Sequence, residues 1–170
     1  MADKTTDALF EALEDFGVKL VDDLQKSASS HKSSGNLEGA MNFEIAETNK
    51  GISFQLIQAD YYDYLDKGVQ GSKKNRAPKS PYKYTDKQPP LSAIKEWLGT
   101  KSLGVQGSNP IDKASAAFII AKSIKEKGTE PTDFYSDVVN EDLIKGLRNK
   151  LLAATGKALK IEIEDLAKVL

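Results

Sequence analysis

Apolar residues in the first thirty positions recur every three or four places, at Leu9, Leu13, Phe16, Leu20 and Leu24, with Phe10 and Val21 beside them. Glu11, Glu14, Asp15, Asp22 and Asp23 fall between them, so the spacing predicts an amphipathic helix of about twenty residues with one acidic, solvated face. Thr6 can cap it, with Asp7 opening the first turn beside the positive end of the helix dipole. After Ser27 the run SASSHKSSGNLEG loses periodicity and reads as a mobile loop. From Met41 the period shortens to two: Phe43 and Ile45, then Ile52, Phe54 and Leu56, alternate with polar neighbours around Thr-Asn-Lys-Gly. This predicts a hairpin over about 41–58 whose apolar face the long helix would cover.

The hairpin feeds YYDYLDKG, a short helical turn ended by Gly68. Tyr61, Tyr62 and Tyr64 cannot all point inward, so at least one ring is expected at a surface suited to an interface. Residues 68–88 then show no apolar period, and loops longer than about 12–15 residues without secondary structure are usually functional or disordered. Pro90 can open a helix carrying Leu91, Ile94, Trp97 and Leu98. Ser108 or Asn109 can cap another, with Ile111, Ala114, Phe118, Ala121 and Ile124 as its buried face and Gly128 as its end. Asn140 caps a last helix with Leu143, Ile144, Leu147, Leu151 and Leu152, ended by Gly156. In residues 157–170, Ile161 and Ile163 alternate like a strand while Leu166, Val169 and Leu170 fit a helix, so both conformations stay open. The expected fold class is α+β: a small antiparallel sheet, a long N-terminal helix, three further helices and a long basic loop.

Composition narrows the function. The 170 residues suit a single domain. Cysteine is absent and His31 is the only histidine, which leaves no thiolate chemistry and no metal-ligand spacing. The acidic start does not resemble a signal peptide, and no apolar run reaches the roughly 18 residues of a membrane span; a soluble chain is expected. Net charge is only −1, yet it is unevenly placed. Lys67 to Lys87 holds six lysines and one arginine against one aspartate, a net +6, whereas Met1 to Ser30 holds seven acids against three lysines, a net −4. Oppositely charged blocks allow a chain to meet copies of itself or a foreign polyanion.

The order of elements resembles the head-to-tail connector, or tail-completion, family of tailed bacteriophages. The resemblance rests on Ser34-Gly35-Asn36-Leu37 before the sheet, on the Tyr-x-x-Tyr-x-x-x-Gly turn from Tyr61 to Gly68, and on a helix exit matched by Ala117, Ile120, Ala121, Ile124, Gly128 and Pro131. It covers roughly Leu9 to Tyr135. It implies a ring-forming virion protein of the neck, made in the bacterial host cytoplasm, whose partners are copies of itself, portal, adaptor or tail-tube proteins, and DNA in the channel. It implies assembly rather than catalysis.

The residues agree in offering no catalytic constellation and no cofactor site. Asp22-Asp23, Glu141-Asp142 and Glu164-Asp165 are adjacent on predicted helices, where their side chains diverge. Gly-Val-Gln-Gly occurs at 68–71 and 104–107 without the strand-to-helix context of a phosphate loop. The candidate interface residues are Tyr61, Tyr62, Tyr64, Lys73, Lys74, Arg76, Lys79, Tyr82 and Tyr84, on a loop expected to be a mobile, reaching arm. The rival reading is a nucleic-acid-binding module using the same lysines and tyrosines for phosphate contact and stacking; the plain one is a solvated insertion that favours solubility.

Overall fold

The computed structural model describes residues 4–31, 36–49, 51–100, 112–156 and 164–168. The fold is α+β. Contacts divide the chain into two compact units, one made of residues 1–62 and 134–170, the other of residues 63–133.

In the first unit, α1 (Lys4–Ser30) runs 27 residues, longer at both ends than the period predicted. Thr6 lies inside it. At the far end Ser29 and Ser30 donate their hydroxyls to the carbonyls of Lys26 and Ser27, and Ala28 is buried, so the helix continues into the serine run. A second correction follows immediately, because Asn36–Ala40 forms a short helix, α2, where a loop was expected, and Leu37 is buried in the core. The Ser34-Gly35 pair lies outside the described residues.

Strands β1 (Asn42–Thr48) and β2 (Gly51–Ala59) form the expected antiparallel hairpin, in register Phe43↔Leu56 and Ile45↔Phe54. Gly51, at φ +131°, turns the chain, and Thr48 Oγ1 donates to its carbonyl at 2.8 Å. The predicted inward set packs as one face against Leu13, Phe16, Leu20 and Leu24 of α1. Phe54 sits between Phe16, edge-on at 5.4 Å, and Phe43, stacked at 5.6 Å. The last helix, α6 (Glu141–Thr155), is capped by Asn140, whose side chain accepts from the Leu143 N–H, and ended by Gly156 in the left-handed conformation. It buries Leu147 and Leu151 on the same core, whereas Leu152 stays exposed. The ambiguous tail resolves at 164–168 as a strand, β5 (Glu164–Lys168), parallel to β2, so the sheet order is β1-β2-β5. Glu164 and Asp165 therefore stand on a strand, not a helix. Residues 157–163 and 169–170 lie outside the described residues.

The second unit contains α3 from Asp63 onward (helix Tyr62–Lys67), β3 (Val69–Gln70), α4 (Leu91–Thr100), α5 (Lys113–Lys127) and β4 (Gly128–Thr129). Asp112 caps α5, accepting from the N–H groups of Ala114 and Ser115; the predicted caps Ser108 and Asn109 lie outside the described residues. Ile94 and Leu98 of α4 meet Ala117 and Ala121 of α5, with Ala116, Ile120 and Ile124 alongside. The predicted α5 face is thus rotated: Ala114 and Phe118 are exposed, and Ile111 lies outside the described residues. An apolar run such as AFIIA presents hydrophobic groups all round a helix, so periodicity alone cannot choose its buried side. The alanines decide it, because small side chains let the two helices approach. Among the described residues, no helix is long and apolar enough to cross a membrane.

One buried group opposes folding. Gln58 is 1% exposed, stands on the core side of β2 by alternation with Phe54 and Leu56, and neither atom of its amide has a hydrogen-bond partner among the described residues. A buried polar group left unsatisfied costs about 1–3 kcal/mol. Replacing it by the similarly shaped methionine is expected to stabilise the first unit by about that amount, read as a higher urea midpoint at unchanged slope. A lower midpoint for Gln58→Met would show that the amide is satisfied in solution.

Candidate interaction surface

The surface around the tyrosines and lysines is built by close backbone contact. Gly68, at φ +67°, turns the chain out of α3 into β3, which pairs antiparallel with β4 through Val69↔Thr129 and Gln70↔Gly128. A β-carbon on Gly71 would lie 2.4 Å from the Gly128 nitrogen, and one on Gly128 would lie 2.2 Å from the Val69 carbonyl oxygen. Only glycine fits at either place. The 68–71 repeat noted in the sequence thus has a packing reason; its counterpart at 104–107 lies outside the described residues.

This contact brings the loop onto the end of α5. The N–H of Ser72 donates to the Lys125 carbonyl, and those of Lys73 and Lys74 both donate to the Glu126 carbonyl, each at 2.9 Å. Carbonyls in a last helical turn have no partner within the helix, so the loop supplies donors to them. Lys73 Nζ also pairs with Glu126 Oε1 at 2.8 Å, placing a cation at the negative helix end and holding the Glu126 carboxyl below its usual range.

A second knot fixes the far half. Ser80 is buried; its hydroxyl donates to the Gly68 carbonyl at 2.6 Å and accepts from the Tyr82 N–H at 3.1 Å. Gln70 donates its side-chain amide to the Ser80 carbonyl, its N–H to the Tyr82 carbonyl, and accepts from the Tyr84 N–H. Ala77 is buried. Residues 68–88 are therefore a folded loop held by backbone, glutamine and serine hydrogen bonds, not the unstructured arm expected from their composition.

The tyrosines separate by role. In the first unit Tyr62 packs on the core, 5.2 Å from the Tyr135 ring, while Tyr61 is exposed. In the second unit Tyr64, also exposed, lies 4.3 Å from the Tyr82 ring, and the Tyr82 hydroxyl donates to Asp63, which pairs with Lys67 at 2.7 Å. That hydrogen bond pushes the Tyr82 phenol up to about 12. Tyr84 is half-buried, and burial raises it too. Lys74 and Lys79 are exposed, and Arg76 stands 3.9 Å from Glu130, an exposed pairing of small energetic weight. Sequence reading missed Asp63, Gln70, Ser80 and Glu126, the residues that hold the loop. Their only signal was a pair of acids, Glu126 and Glu130, closing a helix opposite a lysine run. Among the described residues, no group of three or more His, Asp or Glu is placed to hold a metal ion.

Comparison with protein-family models, with curated proteins and with solved structures finds no match to this chain.

Two measurements check this geometry. Ultraviolet titration should show one tyrosine ionising near pH 12, returning toward the ordinary value of about 10 in Asp63→Asn. The folded phenol binds its proton more tightly than the unfolded one. Its contribution to stability is therefore complete below pH of about 10 and lost as pH rises toward about 12. In limited proteolysis, trypsin should cut the wild-type loop slowly despite its lysines and cut Ser80→Ala faster at Lys79 and Lys83. Equal rates would mean that Ser80 does not tie the loop.

Proposed function

We propose that the chain is a non-enzymatic assembly subunit, a ring-forming head-to-tail connector or tail-completion protein of a phage neck. Copies of itself and portal-side or tail-side proteins are its partners, and the virion is its location. The observation that carries this reading is the apolar surface of the second unit. Trp97 of α4 and Phe118 and Ile119 of α5 are 42%, 51% and 56% exposed on two helices that pack together, and Tyr64 and Leu65 are exposed as well. Large aromatic and aliphatic groups held on rigid helices are what protein interfaces concentrate their energy on.

Charge supports the same reading. In α1, Asp22 and Asp23 pair with Lys26 and Lys19, but Glu11, Glu14 and Asp15 are exposed on its outer face. Lys74 and Lys79 are exposed on a folded loop, so an acidic face and a basic face coexist on one chain, and both can be used at once in a head-to-tail ring. The nucleic-acid reading of this loop is the weaker, because Lys73 and Arg76 are turned toward Glu126 and Glu130.

Size-exclusion chromatography with light scattering tests this on the full chain, alone and with portal or tail proteins. The wild type is expected to form a ring or to join its partners, and Ile119→Ser is expected to stay folded with an unchanged thermal midpoint yet fail to assemble. A hot-spot loss of about 2 kcal/mol weakens each contact about thirtyfold. A wild type that is monomeric in every mixture would refute the assembly reading.

A further inference from the structure

Between the folded loop and α5 the second unit contains a pocket of about 410 Å³, within the range of small-ligand sites. One wall is a single face of α5, where Phe118, Lys122, Lys125 and Glu126 follow at helical spacing; the other carries the hydroxyl residues Ser72 and Thr85. Three lysines, Lys73 among them, stand against one glutamate. The Lys73–Glu126 pair at 2.8 Å compensates the one carboxylate among the described residues of the lining. Lys122 and Lys125 supply the excess positive charge. Lys125 spends one N–H on the Asp86 carbonyl at 2.6 Å, which fixes its ammonium at the pocket edge and leaves two donors. Phe118 is half exposed and stands outside the apolar cluster of α4 and α5, so its ring is available as a flat wall.

A simple carboxylate ligand would use the ammonium groups alone. An anion joined to a planar aromatic group uses the whole lining: phosphate oxygens on the lysines and hydroxyls, a ring on Phe118. We infer that the pocket takes a nucleotide, phosphate on Lys122 and Lys125 and base on the Phe118 ring, either free or as one unit of a single strand. A base paired inside a duplex cannot reach the ring. Among the described residues no loop tyrosine lines the site, and Phe118 is common to it and to the apolar surface assigned to assembly.

Fluorescence anisotropy with the full-length protein and a labelled oligothymidylate tests it, with thymidine monophosphate, inorganic phosphate and a duplex of the same length as competitors. Phe118→Ala is expected to weaken single-strand binding roughly 5- to 150-fold, and Lys122→Gln to lower the salt slope by about 0.7. Val18→Ala, an exposed apolar residue outside the lining, should leave single-strand binding unchanged. Displacement by the mononucleotide would mark a free nucleotide as the ligand, and binding of the oligonucleotide alone would mark a single strand. The inference is overturned if neither binds at low salt, if the duplex competes equally, or if Phe118→Ala and Lys122→Gln both bind as the wild type does. Loss of assembly in Ile119→Ser with nucleotide binding intact, or the reverse, tells this inference apart from the ring reading.

Discussion

The second unit depends on two stretches of backbone approaching more closely than any side chain permits. Gly71 and Gly128 meet without space for a β-carbon, and that contact sets the position of everything that follows on the loop. The amides of Ser72, Lys73 and Lys74 reach the last carbonyls of α5 only because the chain leaves β3 at that distance. One steric constraint thus does three jobs: it pairs β3 with β4, terminates α5, and turns a polar, lysine-rich sequence into a fixed surface.

The two units reach stability by different means. The first buries large residues, with Phe16, Leu20, Leu24, Leu56 and Phe134 in one cluster, and each such side chain contributes about 1.5–3 kcal/mol on full burial. The second has Ile94, Leu98 and two alanines at its buried helix contact, a small apolar area. Its loop is instead held by hydrogen bonds inside a folded turn, Ser80 to Gly68 and Gln70 to Ser80 among them. A unit of this kind can leave Trp97, Phe118 and Ile119 outside because its shape does not require them inside.

The first unit was largely legible in the sequence. Leu13 to Leu24 and Phe43 to Leu56 follow the helical and strand periods closely, since burial on one face imposes the period directly. Legibility failed where small or polar residues carry the structure. Ala117 and Ala121, not Phe118, form the buried side of α5, because close approach selected for smallness and hydrophobicity could not reveal it. Residues 68–88 read as disordered because no apolar period marks them. Their order comes from long-range backbone bonds, such as Ser72 to Lys125, that no local pattern encodes. The tyrosines were half legible: crowding told that some ring must lie outside, but only the fold assigns Tyr62 to the core and Tyr64 to the Tyr82 ring.

The path of the chain has a consequence for biosynthesis. Residues 63–133 are continuous, whereas the first unit needs residues 1–62 together with 134–170, and β2 gains its parallel neighbour only when residues 164–168 arrive. Translation proceeds from the N-terminus and domains generally fold as units, so the unit that comes second along the chain is the one whose residues are all available first. The hairpin and α1 must wait with part of their apolar face uncovered until α6 is made. During that interval the nascent chain exposes the side of α1 that Leu147 and Leu151 cover in the finished molecule, and apolar surface left open in this way during synthesis is where chaperones act.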